Sequence, residues 1–533
     1  MGQMSKALKA INHKNALATE QGKPTQVKNN GGGYSFKVDD WSRLERFLIL
    51  GTDGGTYYVG QNDLTKQNTD FVNVLLKKDA AEVLRRTVDV SDKGRARFNS
   101  QALYVLAAAM NTEGVDKASV KSAVAKVART STHLFEYAQY LENLGGWGRA
   151  KRESIANWYT EKSDDQLALQ LVKYRQRNGW THRDMMRLAH PKGMSQVLGN
   201  FALGKALDGP VPAILEGYLK VQEAKTAKEV VALVLEYRLP WETVPTEWHK
   251  DLSVWRALFE AGMGQTALIR NVTRFARLNA FSDLIFAKQY ADKLANAESI
   301  RKGRIHPIAF LNASIVHERG QLKTITEHGY GYKHLSKDWT TNPKVLKALQ
   351  DGFYAAFGNI EPANKRTMVA LDVSGSMGSY ANGMDLTCAE VGAAISMFIL
   401  RSEPYTEIRG FSSSFVDLGL TENDSFKQVL AKTNRMNFGS TNAALPMQHA
   451  QKNNQEIDTF VVVTDNEVNT GKQPFRALES YRNATGIPAR MAVFGVSASP
   501  FTIADPDDKG SLDFVGFDAN APRALADFSA GRL

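Results

Sequence analysis

Asp372-Val373-Ser374-Gly375-Ser376 puts one carboxylate and two hydroxyls on alternate residues at the end of a β-branched run, TMVALDV (Thr367 to Val373). Alternate side chains at a strand end can turn their oxygens to one side, and Gly375 permits a sharp turn between the serines. In open α/β sheets, ligands bind beyond the carboxyl ends of the strands, which is where this loop would sit. One carboxylate and two hydroxyls suit a hard divalent cation that keeps several waters, Mg²⁺ above all. Two further pieces fit. Gly439-Ser440-Thr441 is expected to open a helix and bring a third hydroxyl, and Asp465 ends the run VVVTD beside the first strand. A serine nucleophile is the competing chemistry, but it wants Gly-x-Ser-x-Gly and a histidine base. The loop lacks those glycines, and His449 is expected one turn into a helix. The sequence holds neither a Walker-type phosphate loop nor a paired-histidine zinc motif.

A second chemistry lies upstream. Leu171 to Lys192, LVKYRQRNGWTHRDMMRLAHPK, carries Lys173, Arg175, Arg177, Arg183, Arg187 and Lys192 against one acid, Asp184. Tyr174, Trp180, His182 and His190 are interleaved. Lys173 and Arg177 stand four apart, as do Arg183 and Arg187, so each pair is expected on one helix face. Guanidinium forks fit phosphates and exposed rings offer platforms to unpaired bases, so the mixture favours RNA over a plain charge run. Trp180 and Trp147 are expected in the core instead. TALIRNVTRFARLNAF spaces Arg270, Arg274 and Arg277 along another helix face, with no acid between Gly262 and Ser282. A third stretch is Arg301-Lys302-Gly303-Arg304-Ile305-His306-Pro307.

These residues need elements to hold them. A chain of 533 residues, 43% hydrophobic and 23% charged, is globular and too long for one core. Residues 1–30 read as a polar arm and 31–360 as a helical module; 361–533 read as a separate α/β domain. QALYVLAAAM, DKASVKSAVAKVART and AKEVVALVLEYRL repeat apolar residues at helical steps, and short turns join helix to helix in the manner of an α-solenoid. Past Ile360, TMVALDV, DTFVVVTD and ARMAVFGV alternate with helical segments, which argues for a doubly wound parallel sheet. Charge follows the same division. Residues 1–360 hold 51 basic and 36 acidic side chains, and 361–533 hold 15 and 20. The larger territory wants a polyanion. No apolar run is long enough to span a membrane, no secretory leader is evident, and the single Cys388 asks for no oxidising compartment. A cytoplasmic monomer is expected.

The order of motifs carries a resemblance. Asp-x-Ser-x-Ser, a later Thr and a later Asp look like the metal-ion-dependent adhesion site of von Willebrand factor A domains. By that likeness Asp372, Ser374, Ser376 and Thr441 would be ligands, with Asp465 a ligand or a partner through water. GTDGGTYYVG (Gly51 to Gly60), KYRQRNGWTHRDMMRLAH, RIHP, LDVSGSM, VTDNE and FTIADPDDKGSLDFVGFD, in this order, resemble the Ro ribonucleoprotein autoantigen family. Its helical part is the TROVE module. The resemblance implies a ring of HEAT-like repeats closed by the A domain. Small Y RNAs would bind its outer surface, and single-stranded 3′ ends of misfolded or unprocessed non-coding RNAs would enter the hole. Lys173, Arg177 and His190 fall on the family's Y RNA contacts, and the Arg270 to Arg277 face is expected to serve the single strand. It implies a non-catalytic role in RNA quality control or maturation, alongside an exoribonuclease or another protein docking at the metal site. Two rivals stand beside it. One is a metal-dependent RNA-processing enzyme using Asp372 and Asp465, the other a protein-interaction scaffold.

Overall fold

The computed structural model describes residues 17–51, 61–321, 338–358, 360–379, 386–433, 439–497, 499–516 and 518–532. All of GTDGGTYYVG after Gly51, and the first 16 residues of the polar arm, lie outside the described residues. The chain forms two compact units. One is Val72–Ala356, and the other joins the residues up to Phe71 with those from Phe357 onward.

The first unit is helical, and several of its helices start where a side chain satisfies free N–H groups of the first turn. Asp116 accepts from Ala118 and Ser119 N–H ahead of helix Lys117–Val127, and Ser163 and Gln166 form a capping box on helix Asp164–Lys173. Helix Ser100–Asn111 packs on Ser131–Asn143, and Ala213–Glu223 on Ala227–Tyr237. The three segments with helical periodicity in the sequence are all helices here: Ser100–Asn111, Lys117–Val127 and Ala227–Tyr237.

One helical expectation in this unit is corrected. Lys173 and Arg177 do not share a helix face, because the helix ends at Lys173. Arg177 lies on strand Gln176–Arg177, which pairs antiparallel with Trp180–Thr181. Asn178 and Gly179 make the turn at φ 52° and 78°. Two consecutive positive-φ residues are what a two-residue hairpin needs, and Asn-Gly supplies them.

The second unit is built on a six-stranded sheet. We number the strands of this unit β1 (Gln26–Lys28), β2 (Tyr34–Lys37), β3 (Thr367–Asp372), β4 (Thr406–Phe411), β5 (Phe415–Asp417), β6 (Thr459–Thr464), β7 (Arg490–Gly495), β8 (Phe501–Thr502) and β9 (Ser511–Val515). The order is β9-β7-β6-β3-β4-β5. Every neighbouring pair is parallel except β4–β5, so the sheet is mixed at one edge. Every residue of β3 and β6 is buried, as central strands covered on both faces require.

The N-terminal segment packs on this unit, although the sequence assigned residues 1–30 to an arm and the residues from 31 to the helical module. Strand β2 pairs with both β1 and β8 in a small antiparallel sheet. Helix Asp40–Leu50 buries Arg46, whose guanidinium donates to the Phe501 carbonyl at 2.7 Å and to the Asp513 carboxylate at 2.6 and 2.7 Å. A buried arginine paired this way through both Nη atoms anchors segments far apart in sequence, although its Nε is buried without a hydrogen-bond partner among the described residues.

Candidate metal centre and nucleic-acid interface

Asp372 ends β3, next to the ends of β4 and β6, and its side chain is fully buried. Its Oδ1 accepts from Ser374 N–H at 2.9 Å, and its Oδ2 accepts from the Thr464 hydroxyl at 2.6 Å. Ser374 caps a short 3₁₀ turn, Gly375–Gly378, that folds Ser376 back until the two hydroxyls are 3.1 Å apart. Gly375 does not adopt positive φ, so the 3₁₀ turn, rather than glycine's left-handed freedom, makes the bend.

Asp465 follows β6 and is also buried. Its Oδ1 accepts from Glu467 N–H at 3.1 Å. Its Oδ2 is buried with no hydrogen-bond partner among the described residues. Burial, and then the charge of Asp465, push the Asp372 carboxyl up to about 7. Burial also raises Asp465, against hydrogen bonds from Ser376 and the backbone. Two buried carboxylates raised together, one with an idle oxygen, form a donor set that a divalent cation would neutralise and complete. The residues therefore fit Mg²⁺. Hydrogen bonds join Asp372, Ser374 and Ser376, and Asp465 acts on Asp372 through its charge.

Thr441 reaches the same rim in a different way from that expected. It does not open a helix, which begins only at Leu445; it sits in the loop before it. Its carbonyl accepts from Asn469 and Thr470 N–H, each at 3.2 Å, and its own N–H donates to Asn469 Oδ1 at 2.9 Å. The next residue, Asn442, donates to the Ser412 carbonyl just past β4. His449 lies within helix Leu445–Lys452, with its ring edge-on to Phe415.

The sequence reading missed the clasp around Asp465. Glu467 is buried, and its carboxylate accepts from Gly31 N–H at 2.9 Å and Asn30 Nδ2 at 3.0 Å. Asn29 Nδ2 donates to the Val468 carbonyl at 2.8 Å, and the Ser35 hydroxyl to the Asn466 carbonyl at 3.3 Å. A Cβ on Gly33 would stand 2.0 Å from the Val468 carbonyl oxygen, so only glycine lets the strand approach. Asn466 is held at φ 68° between the two acids. The available signal was a second acid, Glu467, two residues past Asp465, together with the Asn-Asn-Gly-Gly-Gly run. Thr464 was missed too.

In the helical unit Arg175, Arg177, Arg183, Arg187 and His190 are exposed, all within the helix–hairpin–helix of residues 164–190. Arg183 and Arg187 do share a helix, His182–Ala189, and His190 terminates it in the left-handed conformation. Lys173 is half-buried, with its ammonium 3.8 Å from the Glu242 carboxylate and 5.3 Å from the Tyr174 ring. His182 is buried against the Tyr159 hydroxyl at 2.8 Å, and burial pulls it down to about 4, so it stays neutral. Trp180 is half-buried: its Nε1 donates to Gln139 at 3.0 Å and its ring meets Trp147 edge-on. Arg270, Arg274 and Arg277 are exposed on helix Gln265–Arg277. Arg277 is engaged by Asp338 at 2.5 Å, and Arg274 lies over the Trp255 ring. Among the described residues no helix is long and apolar enough to cross a membrane.

Fold and site together define a two-module protein, a helical module bearing exposed cations and an A-type α/β domain with an oxygen cluster at its strand ends. The TROVE domain family matches residues 27–230 and 233–365, and the Ro60 vWA domain family matches 366–529. The chain is 39% identical over 544 residues to RNA-binding protein RO60 of Deinococcus radiodurans, covering 99% of this chain and 100% of that one. It is 31% identical to RNA-binding protein RO60 of Caenorhabditis elegans over 96% of this chain and 91% of that one. The crystal structure of the Deinococcus radiodurans RO (RSR) protein superimposes with a TM-score of 0.67 at 38% identity, covering 93% of this chain and 100% of that one. The chain belongs to the Ro60 family.

Proposed function

We propose that this protein is a non-catalytic RNA-binding protein of RNA quality control or maturation. Two relatives matched over nearly their whole length are named RNA-binding proteins. The observation that carries the reading is the set of exposed cations Arg175, Arg177, Arg183 and Arg187, gathered with the exposed His190 ring on consecutive elements, with Asp184 turned back onto its own helix cap. Small structured Y-type RNAs bind there, with Lys173 contributing from the end of the preceding helix. Single-stranded 3′ ends of misfolded or unprocessed RNAs enter a central hole of the helical module. Arg270 and Arg274 contact that strand more readily than Arg277, which must first leave Asp338.

Asp372, Ser374, Ser376, Thr441 and Asp465 would hold Mg²⁺ in the A domain. The bound cation would offer an open coordination position to a carboxylate of a docking protein, an exoribonuclease being one such partner. The chain's own residues bury the two acids, fix Asp372 through Thr464 and Ser374, and hold the Asp465 loop through Glu467.

Titrating the full chain with labelled structured RNA at several salt concentrations tests the reading. Affinity should fall steeply, because each neutralised phosphate releases counterions. A flat salt dependence would favour a scaffold whose charge is incidental. RNA cleavage with Mg²⁺ that disappears in Asp372→Ala would replace the reading with an enzyme.

A further inference from the structure

Three basic segments far apart in the chain meet in the helical unit, and none of them lies in the 164–190 region. They are residues 89–100, 126–131 and 297–307, holding Lys93, Arg95, Arg97, Lys126, Arg129, Arg301, Lys302 and Arg304 against Asp89, Asp92 and Glu298. Specific bonds bring them together. Arg304 donates through Nε to the Asp92 carbonyl at 2.5 Å and through Nη2 to the Asp92 carboxylate at 2.8 Å. Its Cβ lies so near Gly94 that an added methyl would meet it at 2.9 Å. Arg129 donates to the Ser91 hydroxyl at 2.9 Å, Ser91 in turn contacts Asn99 at 2.9 Å, and Asn99 reaches the Val127 carbonyl at 3.4 Å. Burial, and then the Arg304 charge, lower the Arg129 guanidinium from its ordinary value.

Each segment follows or closes a helix: Gln61–Asp92, Lys117–Val127 and Ala297–Lys302. A helix C-terminus favours one or two cations, which would account for any one segment alone. It does not account for three such ends placed side by side. Asp89 takes Lys93 and Arg95, and Asp92 takes Arg304, which leaves the cluster strongly positive. Like charges so gathered oppose one another unless a polyanion shares them. Lys126, Arg301 and Lys302 are exposed. In the first segment Phe98, next to the Asn99 that reaches the Val127 carbonyl, is 40% exposed, with the Arg97 guanidinium 4.5 Å from its ring centroid. An exposed ring next to a band of cations is how proteins hold unpaired strands, the ring stacking a base and the cations following the phosphates.

We propose that this junction of residues 93–98, 126–129 and 301–304 is a separate site for single-stranded RNA, with Phe98 as a base platform and Lys126, Arg301 and Lys302 as phosphate contacts. It rests on the RNA-binding reading above and adds a site to it. The test uses the full chain, a short single-stranded oligoribonucleotide and an abasic strand of the same length, by fluorescence anisotropy across a salt series. In Lys126→Ala/Arg301→Ala/Lys302→Ala, the slope of log affinity against log salt should become shallower by about 2, at roughly 0.7 per lost contact. Phe98→Leu should weaken the base-bearing strand about tenfold and leave the abasic strand unchanged. A triple variant that melts normally and keeps the wild-type slope overturns the site, whether or not the cluster then proves to bind an acidic protein. Equal affinities of Phe98→Leu and wild type for the base-bearing strand remove the platform. Failure of the wild-type chain to bind either strand at low salt would instead sink the RNA-binding reading itself.

Discussion

Replacing Asp372 with asparagine removes one of two carboxylates from a corner where both are buried. The shape survives, since an amide oxygen can still accept from Ser374 N–H and the Thr464 hydroxyl can turn to accept where it now donates. The electrostatics change. Asp372 titrates near 7 rather than 3.8, so between those values the folded chain keeps a proton that the unfolded chain has lost. Stability conferred by the protonated group is therefore complete below 3.8 and drains away as pH rises through about 7. The full shift corresponds to about 4 kcal/mol near neutrality. Water entry and relaxation recover part of that, leaving roughly 2 kcal/mol as the working figure. In a chelating buffer near neutral pH, Asp372→Asn should then melt about 4–8 °C above wild type in the transition of the α/β unit. Added Mg²⁺ should stabilise wild type by mass action and leave the variant where it was. Differential scanning fluorimetry with chelator and with Mg²⁺ reads both effects. A variant less stable than wild type in chelator would show that the buried charges cost nothing. A variant that still responds to Mg²⁺ like wild type would place the cation elsewhere.

Other outcomes can be checked as directly. Lys173→Ala/Arg177→Ala/His190→Ala removes charge-assisted contacts worth ~1.5–3 kcal/mol each, so structured-RNA affinity should fall at least about a hundredfold in an anisotropy titration. A short single strand should lose much less, and equal losses would mean one continuous RNA site. Gly33→Ala drives a methyl into the Val468 carbonyl and should cost about 2–4 kcal/mol, read as a lowered denaturant midpoint. It should also weaken Mg²⁺ binding in calorimetry, and unchanged affinity would show that the clasp does not position Asp465. His133, His182 and His317 are each pulled from 6.5 to about 4, by burial first in every case. The unfolded chain takes up protons there that the folded chain refuses, so helical-unit stability should fall as pH drops from 6.5 to 4. The slope should approach ~4 kcal/mol per pH unit where all three contribute, and a flat profile of denaturant midpoints would contradict it.

The central strands, two of them leading to the metal candidates, were legible because each holds a short apolar, β-branched or aromatic stretch: MVAL, FVVV or MAVF. TMVALDV, DTFVVVTD and ARMAVFGV contain β3, β6 and β7 with only their ends shifted. Strands β4, β5 and β9 were not legible from periodicity. Thr406–Phe411 places Glu407 and Arg409 among its apolar residues, and Ser511–Val515 carries Asp513 for Arg46. Their pairing is set by neighbours in the sheet rather than by their own pattern. Arg177 shows the converse error. A spacing of four is a helical argument only while the helix lasts, and Asn178-Gly179 was a hairpin signal inside a segment read as continuous helix.

What no local pattern could reveal is which distant segments complete a site. Asp465 is legible from VVVTD, but its loop takes its shape from Asn29, Asn30, Gly31 and Ser35, more than four hundred residues away. The run Asn-Asn-Gly-Gly-Gly is what a flexible linker looks like when it is considered alone. Against the Asn466–Val468 backbone the same residues become specific. The two asparagines donate to Val468 and Glu467, and two of the glycines admit a backbone contact that no side chain would permit. The metal candidate thus needs one chain end to be complete, just as the cation cluster at Arg304 needs residues about two hundred positions away. In both places sequence reasoning identified the chemistry of one partner, and the fold supplied the other.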